Sequence, residues 1–395
     1  MWVMNEFAVV AIGYNRPDCM LRLLNSLNQT DYCGDTVPLI ISIDNSGNDA
    51  VTRIAEKFEW KYGEKFIKTY PERLGLKKHI LACGQFTQQY QHIAVFEDDL
   101  YVSESFYRFA KQAVEFYKDD DRIAGIALYS HLWNVGCNRP FSPINDQYDV
   151  YFMQYACSWG QVWSKDKWNK FISWYKKNDE EILSSPYIPG NVVSWPDNSW
   201  LKYHIKYCIE TNKYFVYPRA SLSTNFSSKG EHNIKNRNGY QVPLQFEFKR
   251  EYVLPYFDES VVKYDAFFEF INISNYLGLK KADVCVDLYG MKNNNLNKRY
   301  WLTTESADYK IIQSYDMSMR PQEMNVIHKI YGDKIRLFNT SIKKVNKRLK
   351  KLEEEVLKVE YDIKNISYRS LLKYILVTTF KKILYKLTHG GKEAW

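Results

Sequence analysis

The sequence predicts an α/β protein: a parallel sheet with helices on its faces, followed by a smaller α/β module and a helical tail. Three observations predict the sheet. Short apolar runs of strand length alternate with segments of helical periodicity through the N-terminal part of the chain. Each apolar run ends in a polar or turn-forming cluster. Three of those clusters carry charge, at Arg16, Asp44 and Glu97-Asp98-Asp99. In parallel sheets ligands bind beyond the carboxyl ends of the strands, so these charges would gather on one edge.

The elements follow in order. Residues 7–12 are apolar and stop at Gly13, and Arg16-Pro17 then opens a helix. Proline suits a first helical position, and Met20, Leu23, Leu24 and Leu27 repeat at helical spacing. Residues 39–43 form a second strand, closed by Asp44-Asn45-Ser46-Gly47. A helix over 51–58, a short strand at Phe66-Ile67 and a helix over 76–90 lead to the apolar run 93–96. A helix from near Ser103 to Tyr117 and a strand over 123–128 come next.

The run 93–96 ends in three consecutive carboxylates, which repel one another unless a positive group sits among them. Mg²⁺ or Mn²⁺ answers that need, because it takes carboxylate oxygens and keeps positions open for phosphate. A solvated acidic turn that caps the following helix is the alternative. Arg16 and Asp44 on the same sheet edge favour a nucleotide site.

Composition bounds the function. At 395 residues the chain should hold more than one domain. A hydrophobic content of 45% supports a sizeable core. The net charge is +8, but acids and bases interleave along most of the chain, which argues against a general nucleic-acid binder. Aromatic residues make up 16%, a content that suits sugar-binding surfaces and equally fills cores. The seven cysteines, at 19, 33, 83, 137, 157, 208 and 285, lack metal-ligand spacing and suggest reduced thiols in the cytoplasm. No basic, then apolar leader opens the sequence, and no run reaches the roughly 20 apolar residues of a membrane span.

Tyr14-Asn15-Arg16-Pro17, Ser42-Ile43-Asp44 and Glu97-Asp98-Asp99, each after a strand, resemble a nucleotide-sugar glycosyltransferase of the GT-A fold. The chain is similar to the N-acetylglucosaminyltransferase I family, which uses a Glu-Asp-Asp form of the acidic motif. The likeness continues through Val102, Phe106, Ser158-Trp159-Gly160, Trp195-Pro196-Asp197 and Lys229-Gly230-Glu231-His232, covering about residues 5–235.

This resemblance implies roles. Arg16 and Asp44 would hold the nucleotide of a UDP-sugar, with His79 on the nucleotide side or else on the surface of its helix. Asp99 would bind the metal, Asp98 the ribose or a metal-bound water, and Glu97 the donor sugar. Asp197, between Trp195 and Trp200, would be the catalytic base of an inverting transfer, its pKa raised by the flanking indoles. A helix N-cap is the other reading of Asp197. The segment Pro196 to Ser199 also departs from the family's tighter spacing. Trp159 and Trp195 would bind the acceptor, or be buried structural tryptophans. His232 would touch the diphosphate or metal from a polar loop, or be a surface histidine.

Four regions are expected: a GT-A-like catalytic domain over 1–240, an accessory α/β module over 241–339, a coiled-coil helix over 340–367 and a basic amphipathic helix over 368–395. Ile342, Val345, Leu349, Leu352, Val356, Val359, Ile363 and Ile366 alternate at steps of three and four, the seam of a coiled coil that would build a homo-oligomer. Leu371, Leu372, Ile375, Leu376, Phe380, Ile383, Leu384 and Leu387, with lysines around them, read as a stripe lying on an anionic membrane surface. The whole predicts a metal-dependent glycosyltransferase, using Mn²⁺ or Mg²⁺ to move N-acetylglucosamine or a related hexose from UDP to a saccharide or lipid-linked glycan. It would act in surface-glycan synthesis at the cytoplasmic face of a membrane. A sugar-nucleotide nucleotidyltransferase and a non-catalytic glycan-binding scaffold are the alternatives.

Overall fold

A computed structural model describes residues 6–226, 238–246, 249–293, 297–346, 351–363 and 367–388. Strand β1 (Phe7–Gly13), helix α1 (Pro17–Leu27), β2 (Leu39–Ile43), α2 (Ala50–Lys57), β3 (Lys65–Thr69), α3 (Leu76–Gly84) and β4 (His92–Glu97) follow the expected alternation. The helix expected over 76–90 ends at Gly84 and tightens into a 3₁₀ turn, Gln85–Gln88. A short strand that the sequence did not reveal, β5 (Leu100–Val102), precedes α4 (Phe106–Phe116) and β6 (Ile123–Ala127). A minimal ladder of β7 (Trp133–Asn134) and β8 (Arg139–Pro140) leads to β9 (Val150–Met153), β10 (Gln161–Ser164) and α5 (Lys165–Tyr175). Then come α6 (Gly190–Val193), α7 (Trp200–Glu210), β11 (Tyr214–Pro218), β12 (Ser223–Asn225) and β13 (Lys263–Tyr264).

Nine of these strands form one sheet, in the order β13-β9-β11-β6-β10-β4-β1-β2-β3. The expected parallel pairing holds for β1 with β2 and β4, and for β2 with β3. The sheet as a whole is mixed, because β10 runs antiparallel between β4 and β6. An apolar strand pattern reads the same in both directions, so the sequence of β10 could not reveal its sense. The parallel trio places the carboxyl ends of β1, β2 and β4 side by side.

Both faces of the sheet are covered, as a parallel core requires. Val9 and Ala11 pack with Met20, Leu23, Leu24 and Phe109 on the face of α1 and α4. Ala8, Val10 and Ile12 pack with Ile80, Trp163, Trp168 and Phe171 on the face of α3, α5 and α7. The apolar face of α1 is thus the one its spacing predicted. A Cβ on Gly84 would lie 1.9 Å from a ring carbon of Trp168, so glycine permits the close approach of α3 to α5.

Because β13 belongs to the main sheet, that sheet continues past the boundary expected at 240. Helix α8 (Ile273–Tyr276) leads on to a separate four-stranded sheet, order β14-β15-β17-β16. It is made of β14 (Val284–Asp287), β15 (Tyr300–Thr303), β16 (Tyr309–Tyr315) and β17 (Ile335–Lys343), with α9 (Glu323–Ile327) before β17. Buried polar contacts join the two sheets: the Tyr264 hydroxyl donates to Glu323 at 2.9 Å, and the Tyr289 amide to Glu269 at 2.8 Å.

The tail departs from the expected continuous coil. Ile342 lies in β17, whose ladder with β16 reaches Lys343, so pairing with a neighbouring strand claims the start of the heptad series. Helix α10 (Lys351–Ile363) turns Leu352, Val356 and Val359 outward. Its other side docks: Asp362 accepts from Arg139 at 2.8 Å, Glu354 from the Ser306 amide at 3.0 Å, and the Tyr361 hydroxyl donates to the Met319 carbonyl at 2.7 Å. Leu349 and Ile366 lie outside the described residues. In α11 (Tyr368–Thr388), Tyr374, Ile375, Leu376 and Val377 are all exposed. Successive helical residues point about 100° apart, so the exposed apolar surface surrounds this helix instead of forming the expected stripe. No helix among the described residues is long and apolar enough to cross a membrane.

Candidate active site

Arg16, Asp44, His79, Glu97, Asp98 and Asp99 line a single cavity of about 620 Å³ at the carboxyl ends of β1, β2 and β4. Glu97 is the last residue of β4, and the two-residue turn from it into β5 carries Asp98 and Asp99 at the cavity edge. Arg16, just before α1, forms an ion pair with Asp98 and reaches Asp99 at 3.5 Å. Burial works against the Arg16 charge, but Asp98 and Asp99 more than offset it and hold its pKa above the ordinary value. Burial also pushes Asp98 up to about 6 in spite of Arg16. Glu97 is pushed up to about 8, by burial first and then by repulsion from Asp99 and Asp98.

The site residues present fit a hard divalent cation. Oδ2 of Asp98 is buried without a protein partner, and the Asp99 side chain keeps 21% of its surface exposed beside it. Among the described residues no group of three His, Cys, Asp or Glu side chains forms a closed metal cage. A cation held by Asp98 and Asp99 would therefore draw its other ligands from a diphosphate and water.

Asp44 and His79 occupy the nucleotide end, where their observed contacts are internal. The Asp44 carboxylate accepts from the amides of Asn45 (2.9 Å), Leu74 (2.8 Å) and Gly75 (2.9 Å). It thereby pins the turn that starts α3, where Gly75 adopts a φ of +74° that favours glycine. His79, on α3, is buried, and its Nε2 lies 2.8 Å from the Ser42 hydroxyl. Burial holds its pKa down to about 4, so the ring is neutral at physiological pH, and a helix-surface position is ruled out. Arg73 lines the same end, its guanidinium 4.9 Å from the Tyr14 ring centre. The sequence reading missed Arg73, which stands in the turn after β3 just before the Leu74-Gly75 backbone held by Asp44.

Trp159 forms another wall, its ring 4.7 Å from that of Tyr240 and tilted by 33° to it, and 4.7 Å from that of Tyr129. Gly160 beside it has a φ of +88°, and a Cβ there would meet the Ser223 hydroxyl at 2.8 Å, so the turn needs glycine. Trp195 also faces the cavity. Three further lining residues escaped the sequence reading: His131, Tyr155 and Asn191. His131 follows β6, but β9 runs antiparallel to β11 and β6, so no strand-end rule would have brought Tyr155 to it.

Asp197 is placed differently from expectation. Its neighbours Pro196 and Asn198 line the cavity, but its own side chain is 72% exposed and pairs with the buried Lys202 amine at 2.9 Å. Hydrogen bonding and charge from Lys202 hold its carboxyl below the usual range, the reverse of the predicted upward shift. The N-cap of α7 is Ser199, so Asp197 does not cap that helix either. His232 lies outside the described residues.

No family model matches the chain, so the likeness to the N-acetylglucosaminyltransferase I family is not confirmed, and no curated protein matches it. Solved structures do. Residues 1–349 of TarS from S. aureus in complex with UDP-GlcNAc are 17% identical over 57% of this chain and 60% of that one, with a TM-score of 0.38. The same TarS fragment in another crystal structure is 15% identical over 56% and 60%, at 0.37. The mannosyltransferase PcManGT from Pyrobaculum calidifontis, in complex with GDP-Man and Mn²⁺, is 10% identical over 57% and 59%, at 0.35. The chain thus spans about 60% of the length of each of these structures. At this level of similarity the likeness assigns no role to this chain, whose function must be read from its own cavity.

Proposed function

We propose that the protein is a glycosyltransferase that moves a sugar from a nucleoside diphosphate donor, UDP-linked, to a hydroxyl of a saccharide acceptor. One observation carries this reading: a single cavity joins a cation-seeking pair of acids and Arg16, at the strand ends, to a wall of packed aromatic rings. The first set suits a diphosphate and the second a sugar ring. Asp98 and Asp99 would hold Mn²⁺ or Mg²⁺, which offsets the charge that collects on a departing diphosphate. Arg16 binds the same phosphates, and neutral His79 closes the nucleotide end without adding charge. Asp44 shapes that end by fixing the Leu74-Gly75 backbone.

Glu97 takes over the role first given to Asp197. It faces the cavity, and among the described residues it has neither an ion pair nor an amide donor. The acceptor hydroxyl gives its proton to Glu97 as its oxygen bonds to the sugar carbon. The bond from that carbon to phosphate breaks with its electrons, and the nucleoside diphosphate leaves. Burial is the first cause of the raised Glu97 pKa, and a cation that neutralises Asp98 and Asp99 would remove the second, their repulsion, and so shift Glu97 toward the carboxylate form that takes the proton.

For the tail, we propose that the apolar side chains exposed around α11 are covered by the interface of an anionic membrane, with Arg369, Lys373 and Lys381 extending to its headgroups, and that the outward seam of α10 pairs with a second copy. On this reading the enzyme would act at the cytoplasmic face of a membrane, with lipid-linked or surface glycans as acceptors. The core proposal is tested by thermal shift with UDP-, GDP- and dTDP-sugars, with and without Mn²⁺. A Mn²⁺-dependent shift with a UDP-sugar supports it. No shift with any nucleotide sugar overturns it.

A further inference from the structure

The cavity wall beyond Trp159 carries three buried polar atoms with no hydrogen-bond partner among the described residues: Nε2 of His131, the Tyr155 hydroxyl and Oδ1 of Asn191. His131 and Tyr155 are each only 3% exposed, and all three residues line the cavity. Asn191 is close enough to offset part of the upward push that burial gives the Tyr155 hydroxyl, yet no hydrogen bond of proper geometry joins them. A buried polar group left unsatisfied costs about 1–3 kcal/mol. Native interiors tolerate few such groups. Three of them on one wall of one cavity form a built set of partners for a ligand.

The chemistry of the wall selects the ligand. His131 sits among the rings of Tyr129, Tyr155, Tyr217, Trp159 and Phe268, at centroid distances of 5.2–5.9 Å. Burial in that box, with no charged group contributing, keeps the imidazole neutral, its pKa held down to about 3. The three polar groups therefore offer uncharged donors and acceptors, unsuited to phosphate and suited to hydroxyl or amide groups. Beside them the packed rings of Trp159 and Tyr240 offer an apolar surface. A ring with one C–H face and a polar edge matches both, and that ring is a pyranose. We propose that His131, Tyr155 and Asn191 form the specificity-determining polar edge of a sugar subsite, reading the hydroxyl or acetamido groups of one pyranose seated against Trp159. This rests on the glycosyl-transfer reading of the same cavity. The sugar is either the one carried by the donor or one on the acceptor.

Tyr155→Phe tests it with the least disturbance, because it deletes one unpartnered hydroxyl and keeps the ring. The free variant should melt at or above the wild-type temperature. Affinity for UDP alone should not change, whereas the sugar-dependent step should weaken by about 3- to 10-fold, the worth of one neutral hydrogen bond. If the pyranose is the donor's, the weakening appears in calorimetric titration with UDP-sugars relative to UDP. If it is the acceptor's, donor affinity holds and KM for methyl glycoside acceptors rises. His131→Asn and Asn191→Ala should act on the same step as Tyr155→Phe. Should wild type bind no UDP, the transferase reading falls alone. Saturation-transfer NMR with free methyl glycosides then decides the subsite, with contact in wild type and its loss in Tyr155→Phe expected. Unchanged sugar affinity and acceptor KM in Tyr155→Phe, no glycoside contact in the wild type, or a lower melting temperature that reveals an internal partner for the hydroxyl, would overturn the proposal.

Discussion

Replacing Glu97 with glutamine removes the most strained charge of the site. Burial first, then Asp99 and Asp98, push this carboxyl up to about 8 from an ordinary 4.5, with Arg16 opposing. At neutral pH the folded chain keeps the proton and the unfolded chain loses it. A folded pKa above the unfolded one gives stability that is complete below about pH 4.5 and disappears as pH rises through about 8. Each pKa unit corresponds to about 1.4 kcal/mol, so the loss across the window is at most about 5 kcal/mol, part of it shared with the two neighbouring acids. The chain has 395 residues. At about 2.1 cal/mol/K of unfolding entropy per residue, the ceiling is a shift of about 6 °C. The buried histidines act oppositely: burial holds His79 and His92 down to about 4, and His131 and His204 to about 3. Their contribution grows as pH rises and is complete above about 6.5, equally in both proteins, so it cancels in the difference. Calorimetry of wild type and Glu97→Gln should give matching melting temperatures near pH 4.5 and a gap of about 3–6 °C in favour of the variant near pH 8.5. Mg²⁺ should narrow that gap by stabilising the wild type. A gap that does not vary with pH, or a variant less stable at high pH, would refute the reasoning.

Two further outcomes are expected. Asp197→Asn should leave turnover close to wild type, because the carboxylate is exposed, tied to Lys202 and outside the cavity lining; steady-state kinetics with saturating acceptor checks this, and a loss of about 100-fold or more would restore Asp197 as the base. Truncation after residue 366 should release the protein from anionic vesicles while its oligomeric mass is kept, whereas truncation after 346 should also reduce that mass. Flotation and sedimentation measure the two effects, and retention of vesicle binding by the shorter tail would show that α11 is not the membrane contact.

The parts of the fold that the sequence disclosed are those where burial is two-sided and the period is clean. Phe7 to Ile12, Leu39 to Ile43 and the Met20-Leu23-Leu24-Leu27 face of α1 needed only an apolar count. Charges just past these strands located one end of the cavity, because a parallel sheet places all such ends on one edge. The antiparallel sense of β10 was hidden, since Val162-Trp163 alternates identically in either direction. His131, Tyr155 and Asn191 were hidden as well: the Tyr155 and His131 rings come together only through the pairing of β6, β11 and β9. Asp197 misled because its flanking tryptophans suggested burial, whereas the turn before α7 aims its side chain at Lys202. The heptad spacing that starts at Ile342 carried no hint that β16 would draw that residue into a ladder.

The central claim is that the acids after β4 hold a cation that binds the donor's diphosphate. Titration of UDP into wild type and Asp99→Asn, with and without Mn²⁺, tests it most directly. The expected result is UDP binding that Mn²⁺ strengthens in the wild type, and no Mn²⁺ dependence in a variant whose melting curve stays cooperative. Mn²⁺-dependent UDP affinity in Asp99→Asn equal to that of the wild type would contradict the claim.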